Sequence, residues 1–318
     1  MPLRTPKFWY QKPGVLSLML TPLSWLYRIG AFLDKSLKNT PYISSIPVIC
    51  VGNAITGGGG KTPTAIALMK LIKDQNIAKK PVFLTRGYGA NNQHARLVDI
   101  KADSALHVGD EALLLAQHAK TIVSSNRKTG AKMAEDKGFD LIIMDDGMQN
   151  YQLQKNINLL VIDRQIDFGN NKILPAGPLR ETLKNVLDKT DAIICIGRPF
   201  QSDLPVFEST IKPENKLKAD KKYIAFAGLA LPEKFKNTLL DLKIKLAGWY
   251  EFSDHYQYTN NDIKKLKTDA KDNDANLVTT EKDFVRINNN LRDGIETLPI
   301  SLEISNPVNL SEFIKEQL

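Results

Sequence analysis

The chain has 318 residues, 42% of them hydrophobic and 25% charged. That is enough apolar material for one large core or two unequal ones, and it excludes a disordered or collagen-like chain. A formal net charge of +8 favours anionic partners such as phosphorylated substrates or an acidic membrane surface; the lysines are dispersed and no nucleic-acid-binding motif is present, so nucleic acid is not an expected partner.

The first element is a mostly apolar stretch, 15–33, containing Trp25, Tyr27 and one interrupting charge, Arg28. Arg4, Lys7, Phe8, Trp9 and Lys12 precede it. No small-residue cleavage site follows, which argues against a secretory signal. A spanning helix needs about 20 strongly apolar residues, and Pro22 and Arg28 weaken that reading. The pattern predicts an interfacial helix over 15–33, apolar on one side, with aromatic and basic residues at headgroup level. A helix packed on its own domain is the alternative.

Beyond Pro47, short apolar runs alternate with amphipathic stretches. Strands are predicted at 48–51, 81–85, 121–124, 141–144, 159–162 and 192–196, with helices including 64–73 and 111–118. This alternation implies a parallel sheet covered on both faces. The two cysteines, Cys50 and Cys195, fall in two of the predicted strands; buried reduced thiols suit a cytoplasmic compartment, and two are too few for a zinc site. Residues 201–221 are polar and lysine-rich and read as a connection. A smaller α/β unit follows, with strands at 223–227 and 277–280. The expected division is an N-terminal nucleotide-binding domain, 1–220, and a C-terminal domain, 221–318.

Six segments carry the chemistry. After the strand at 48–51 comes Gly57-Gly58-Gly59-Gly60-Lys61-Thr62, and a helix follows. Glycines let successive N–H groups turn toward phosphates, and the helix presents its positive end to the same anion. Lys61 would reach the β- and γ-phosphates of ATP, and the Thr62 hydroxyl would ligate Mg²⁺. The usual phosphate-loop pattern has glycine at position 55; this chain has Ile55 and Thr56, as in deviant phosphate loops. The strand at 141–144 ends in Asp145-Asp146-Gly147, acids on the sheet edge where α/β folds bind ligands. Arg86 and Tyr88, in Thr85-Arg86-Gly87-Tyr88-Gly89, are placed to hold a phosphate and a sugar, with a plain turn as the alternative. Pro175-Ala176-Gly177-Pro178-Leu179-Arg180 forms a rigid loop that aims Arg180, either at transferring phosphoryl charge or simply at solvent. Gly109-Asp110-Glu111 opens a helix and, taken alone, reads as a cap. In Ser253-Asp254-His255-Tyr256, His255 stands beside Asp254, a plausible polarising pair or a structural histidine.

In this order these pieces resemble the tetraacyldisaccharide 4'-kinase family, the lipid A 4'-kinases, over nearly the whole chain. The matching motifs are the aromatic N-terminal segment, Gly52-Asn53 with the glycine loop, Arg86-Gly87-Tyr88-Gly89, Val108-Gly109-Asp110-Glu111, Asp145-Asp146-Gly147-Met148-Gln149, the loop around Arg180, Asp254-His255, and Thr279-Thr280-Glu281-Lys282-Asp283. The resemblance implies a P-loop NTPase-like parallel sheet flanked by helices. It implies transfer of the ATP γ-phosphoryl to the 4'-hydroxyl of an acylated glucosamine disaccharide 1-phosphate at the cytoplasmic face of the inner membrane. It also implies roles. Asp110 would be the general base, paired with His255; Lys61 and Arg180 would neutralise phosphoryl charge; Thr62, Glu111 and Asp145 would surround Mg²⁺; Asp146, Gln149, Arg86 and Tyr88 would complete the substrate site. Where the family has histidine after Gln149, this chain has Asn150, which can hydrogen-bond but cannot carry a proton. The expected partners are the lipid precursor and the anionic membrane surface, with no obligate protein partner. Two alternatives stay open: a nucleotide-driven membrane switch, and a soluble sugar or nucleoside kinase.

Overall fold

The computed structural model describes residues 5–36, 40–90, 94–214 and 217–318; Arg4, assigned above to the basic flank, lies outside them. A single turn at Lys7–Tyr10 precedes α1 (Val15–Ser36). Then come β1 (Val48–Gly52), α2 (Lys61–Asp74), β2 (Pro81–Thr85), β3 (Arg96–Leu97), α3 (Ala105–Val108), α4 (Asp110–Ala116), β4 (Thr121–Val123), α5 (Arg127–Asp136), β5 (Leu141–Asp145), β6 (Ile157–Asp163), α6 (Leu183–Leu187), β7 (Ala192–Ile196) and β8 (Val206–Pro213). The remainder is β9 (Lys222–Ala227), α7 (Pro232–Asp241), β10 (Lys245–Glu251), α8 (Asn260–Asp272), β11 (Ala275–Thr280), α9 (Glu281–Phe284), β12 (Ile295–Leu298), β13 (Ile300–Ile304) and α10 (Pro307–Gln317).

Nine strands form one sheet in the order β13-β8-β7-β6-β1-β5-β2-β4-β3. Its interior pairs are parallel, and only the outermost pairs, β13 with β8 and β3 with β4, are antiparallel. β1, β2, β5 and β7 are buried at every position, because helices cover both faces. Alternate residues therefore feed two cores. Val48, Cys50, Ile142, Met144 and Cys195 pack on one side with α5, and Ile49, Val51, Ile143 and Ile194 on the other with α2 and α10. The predicted α/β class with a parallel, helix-flanked sheet is the observed one. β1 lies between β5 and β6, with Val51 level with Asp145. The glycine loop and the two aspartates thus leave the sheet side by side, at the carboxyl edge where such folds bind ligands. A second, all-parallel sheet runs β10-β9-β11-β12.

Two boundaries differ from expectation. The stretch read as a connection, 201–221, contains β8. Its outward positions Glu208, Thr210 and Lys212 are solvent-exposed, so a half-exposed strand carries the composition of a loop. The expected C-terminal domain extends to residue 318, yet β13 pairs with β8 in the large sheet and Leu310 and Ile314 of α10 enter its core. The small sheet is an insertion that ends at Leu298.

Candidate active site

Three glycines of the phosphate loop, Gly57, Gly58 and Gly60, have positive φ, a backbone that side chains resist. Gly60 caps α2 without any side-chain bond, leaving the first N–H groups of the helix for an anion. Ile55 is not a defect in this loop. It forms an antiparallel bridge to Leu179 and is 3% exposed in the core, so a buried side chain, rather than a flexible glycine, fixes where the loop begins.

Lys61 Nζ lies 3.8 Å from Asp146. Thr62 Oγ1 donates to Asp145 Oδ2 (3.1 Å), while Asp145 Oδ1 is buried without a partner. Burial, then the neighbouring Glu111, push the Asp145 carboxyl up to about 7. An orphaned carboxylate oxygen beside a threonine hydroxyl fits a divalent cation, which would relieve that cost. Among the described residues no cluster of three or more His, Cys, Asp or Glu stands ready to hold a metal. That matches Mg²⁺, which takes one or two carboxylates and fills its shell with phosphate and water.

Asp146 adopts a positive φ and accepts a two-pronged pairing from Arg180, at 2.9 and 3.1 Å. Burial works against its charge, but Lys61 and Arg180 hold the carboxyl well below the usual range. Arg180 also donates to Gln149 (3.1 Å), and Gln149 in turn donates to Glu181 and to Asn53 O. Asn150 borders the same cleft, but its amide oxygen accepts the Gln152 N–H at 3.0 Å, shaping the turn.

Asp110 is 3% exposed. Its Oδ1 accepts the Glu111 N–H (2.8 Å), and its Oδ2 receives His255 Nδ1 (2.8 Å) and Arg286 Nε (2.6 Å), with the Arg286 terminal nitrogen in ion-pair contact at 2.5 Å. Burial opposes ionisation, yet Lys282, His255 and Arg286 together hold the carboxyl well below the usual range. Arg286 is braced by Asp283 (2.9 Å) and Gly228 O (2.6 Å), and Lys282 reaches Glu111 (3.2 Å). The Tyr88 ring lies 5.0 Å from the His255 ring.

One cleft of about 2420 Å³ gathers these groups. It is lined by the whole glycine loop, Lys61, Thr62, Arg86, Tyr88, Glu111, Asp146, Gln149, Asn150, Arg180 and His255, while Asp110 and Asp145 stand behind its wall. A single small-molecule pocket is on the order of 300–1,000 Å³, so this cleft has room for a nucleotide and a second, large substrate. Phe8, Trp9, Tyr10 and Tyr27 of the N-terminal segment line it as well.

Two further residues at the site carried no motif: Arg286, buried behind the cleft wall, and Arg127, on the wall itself. Arg286 lies three positions past Asp283, and only its partnership with the distant Asp110 reveals it. Arg127 also lines the cleft; it is 2% exposed, donates to Ser124 O (2.6 Å), and burial lowers it to about 10.

A phosphate loop, a cation-ready aspartate, and a histidine–aspartate pair facing them across one cleft define an ATP-dependent phosphotransferase. The comparisons then narrow the class. A family model described as tetraacyldisaccharide-1-P 4'-kinase matches residues 16–318, and the chain belongs to this family. Two relatives named tetraacyldisaccharide 4'-kinase are those of Bradyrhizobium diazoefficiens (37% identical, covering 99% of this chain and 97% of the relative) and Paramagnetospirillum magneticum (39% identical, 96% of each). The fold is similar to the crystal structure of LpxK from Aquifex aeolicus in complex with ATP, with a TM-score of 0.78, 26% identity, and 95% and 99% of the two chains covered. As a family member the chain is a kinase of lipid A biosynthesis that phosphorylates the 4'-hydroxyl of the disaccharide precursor at the expense of ATP.

Proposed function

We propose that His255, oriented by Asp110, takes the proton of the 4'-hydroxyl while the glycine loop, Lys61 and Arg180 hold the transferring phosphoryl. The observation that carries this is the Asp110–His255 contact. Both oxygens of Asp110 are occupied and the residue lies behind the cleft wall, so it has no free face for a substrate hydroxyl. An ionised carboxylate only accepts, so His255 Nδ1 donates to it, and a neutral imidazole then has Nε2 as its acceptor. This shifts the base from Asp110, the expected residue, to His255, with Asp110 as its anchor.

In the reaction the hydroxyl oxygen bonds to the γ-phosphorus as the bond to the β-bridging oxygen breaks, and the proton passes to His255 Nε2. The transition state is loose, so positioning and charge dominate. Backbone N–H groups of Gly57–Gly60 and the start of α2 cradle the triphosphate, with Lys61 on its outer phosphates. Thr62, Asp145 and Glu111 would hold Mg²⁺, which neutralises phosphate charge when bound. Arg180, Arg86 and Tyr88 face the acceptor side, with Asp146 and Gln149 fixing Arg180.

The place of reaction is the membrane surface. On α1, Val15, Leu18, Met19, Leu23, Trp25, Leu26 and Ile29 are all exposed, and no described helix is long and apolar enough to cross a bilayer. A helix lying in the interface accommodates such a face, and the +8 net charge draws it to anionic lipid. The test is phosphorylation of a tetraacyl disaccharide 1-phosphate in detergent micelles by the purified protein with Mg-ATP. Slow ATP hydrolysis that the lipid does not stimulate would favour the switch reading instead.

A further inference from the structure

Among the described residues of α1, the two that are buried against the rest of the protein are polar, Ser17 and Ser24. Ser17 and Ser24 are seven positions apart and so share one helix face. Ser17 Oγ donates to Ala176 O and Ser24 Oγ to Ile173 O, both at 2.8 Å. The Ala176 N–H donates back to Ser24 Oγ at 3.4 Å. Asn170 Nδ2 bridges the contact, donating to Ser17 Oγ (3.2 Å) and Ala176 O (2.9 Å). Trp9 adds its indole N–H to Pro175 O at 3.0 Å. A Cβ at Gly177 would stand 2.0 Å from Asn170 Oδ1, so the contact tolerates no side chain there.

The segment gripped in this way, 173–180, leads directly to the phosphate site. Thr56 N–H donates to Pro178 O, Leu179 bridges Ile55, and Arg180 N–H donates to Ala54 O. Arg180 then pairs with Asp146. The segment is therefore fastened to α1 at one end and to the root of the glycine loop at the other. Buried hydroxyls and amides cost stability unless they are partnered. An interfacial anchor needs none of them, so their presence calls for another reason.

We propose that Ser17, Ser24 and Asn170 are positioning residues for Arg180. They set the path of 173–180, and hence the place where the guanidinium meets the transferring phosphoryl, without touching substrate. Through them the helix that meets the lipid is also the helix that aligns the catalytic arginine. This rests on the lipid-kinase reading of the cleft.

The test compares wild type with Ser17→Ala/Ser24→Ala and, separately, with Trp9→Phe, which removes the indole N–H and keeps a smaller aromatic ring. Each is assayed with radiolabelled ATP on micellar tetraacyl disaccharide 1-phosphate, and by co-sedimentation with phosphatidylethanolamine–phosphatidylglycerol vesicles. The serine variant is expected to lose about 10- to 100-fold in kcat, the scale of a small misplacement of a catalytic group, and Trp9→Phe about threefold. The KM for ATP and the vesicle-bound fraction should stay within about twofold of wild type, because neither the nucleotide contacts nor the apolar face changes. In an Arg180→Ala background the serine substitutions should cost less than about threefold, since they act through the residue already removed. The proposal is overturned if their full cost persists without Arg180, if kcat and vesicle binding fall together, or if kcat is unchanged. A wild-type protein that leaves this lipid unphosphorylated would fail the underlying kinase reading instead.

Discussion

Replacing Asp110 by Asn removes one charge and almost no volume, and its cost can be worked from the contacts. The carboxylate receives three hydrogen bonds, the Glu111 N–H on one oxygen and His255 Nδ1 with Arg286 Nε on the other, and the Arg286 terminal nitrogen adds a charge contact at 2.5 Å. An amide has one acceptor oxygen and two donors. With its oxygen toward Arg286, its NH₂ meets the Glu111 N–H; flipped, it faces His255 Nδ1 and the Arg286 guanidinium. Arg286, whose side chain is fully buried, keeps Asp283 as its close acid partner. Breaking one side of a buried pair costs about 3–5 kcal/mol, to be read as a lower unfolding free energy in urea. Loss of the anchored base should lower kcat by about 10²–10⁴-fold. The KM for ATP should move less than about threefold, since the partners of Asp110 are Glu111, His255 and Arg286 rather than the glycine loop. Because the pair acts as a unit, adding His255→Ala to Asp110→Asn should cost less than about another factor of ten. Steady-state kinetics on micellar lipid decide the matter. A variant that keeps kcat within about tenfold, or whose ATP KM rises in step with the loss, would refute the dyad.

Three further outcomes follow from the same contacts. Ile55→Gly restores the usual phosphate-loop glycine but empties a core position that is 3% exposed; the unfolding free energy should fall by about 3–5 kcal/mol with no gain in ATP affinity, and tighter ATP binding without destabilisation would contradict the bridge to Leu179. The folded pKa of Asp145, about 7, lies above its unfolded value of about 3.9. Its protonated form therefore stabilises the cation-free protein at low pH, and that contribution fades as pH rises through about 7. Mg²⁺ affinity measured by calorimetry should rise over the same range with release of a proton; a flat profile would place the cation elsewhere. Trp25→Glu on α1, where Trp25 is 66% exposed, should reduce vesicle partition by about tenfold and leave the unfolding free energy within about 0.5 kcal/mol; unchanged partition would remove α1 from the membrane contact.

Local features were legible in the sequence because their physics is local. A strand, a glycine turn and a helix start announce the phosphate loop, and continuous apolar runs such as 141–144 announce strands buried on both faces. What the chain hides is long-range. The partnership of Arg286 with Asp110 spans the two sheets, and no spacing within either segment foretells it. β8 carries exposed lysine, glutamate and threonine on one face, so composition alone reads it as a loop. β13 and α10 follow the small sheet in sequence yet belong to the large one, since a returning edge strand has no signature of its own. Position 55 reads as a departure from a motif until the bridge to Leu179 shows what the isoleucine holds.

The kinase moves the γ-phosphoryl of ATP onto one particular hydroxyl of a lipid, the 4'-hydroxyl of the disaccharide precursor. Phosphorus NMR and mass spectrometry of the product formed from tetraacyl disaccharide 1-phosphate, Mg-ATP and wild-type protein test it directly. A single new phosphomonoester at the 4'-position is expected, formed at least about 100-fold more slowly when His255 is replaced by Ala. Phosphate at another hydroxyl, or release of inorganic phosphate with the lipid unchanged, would contradict it.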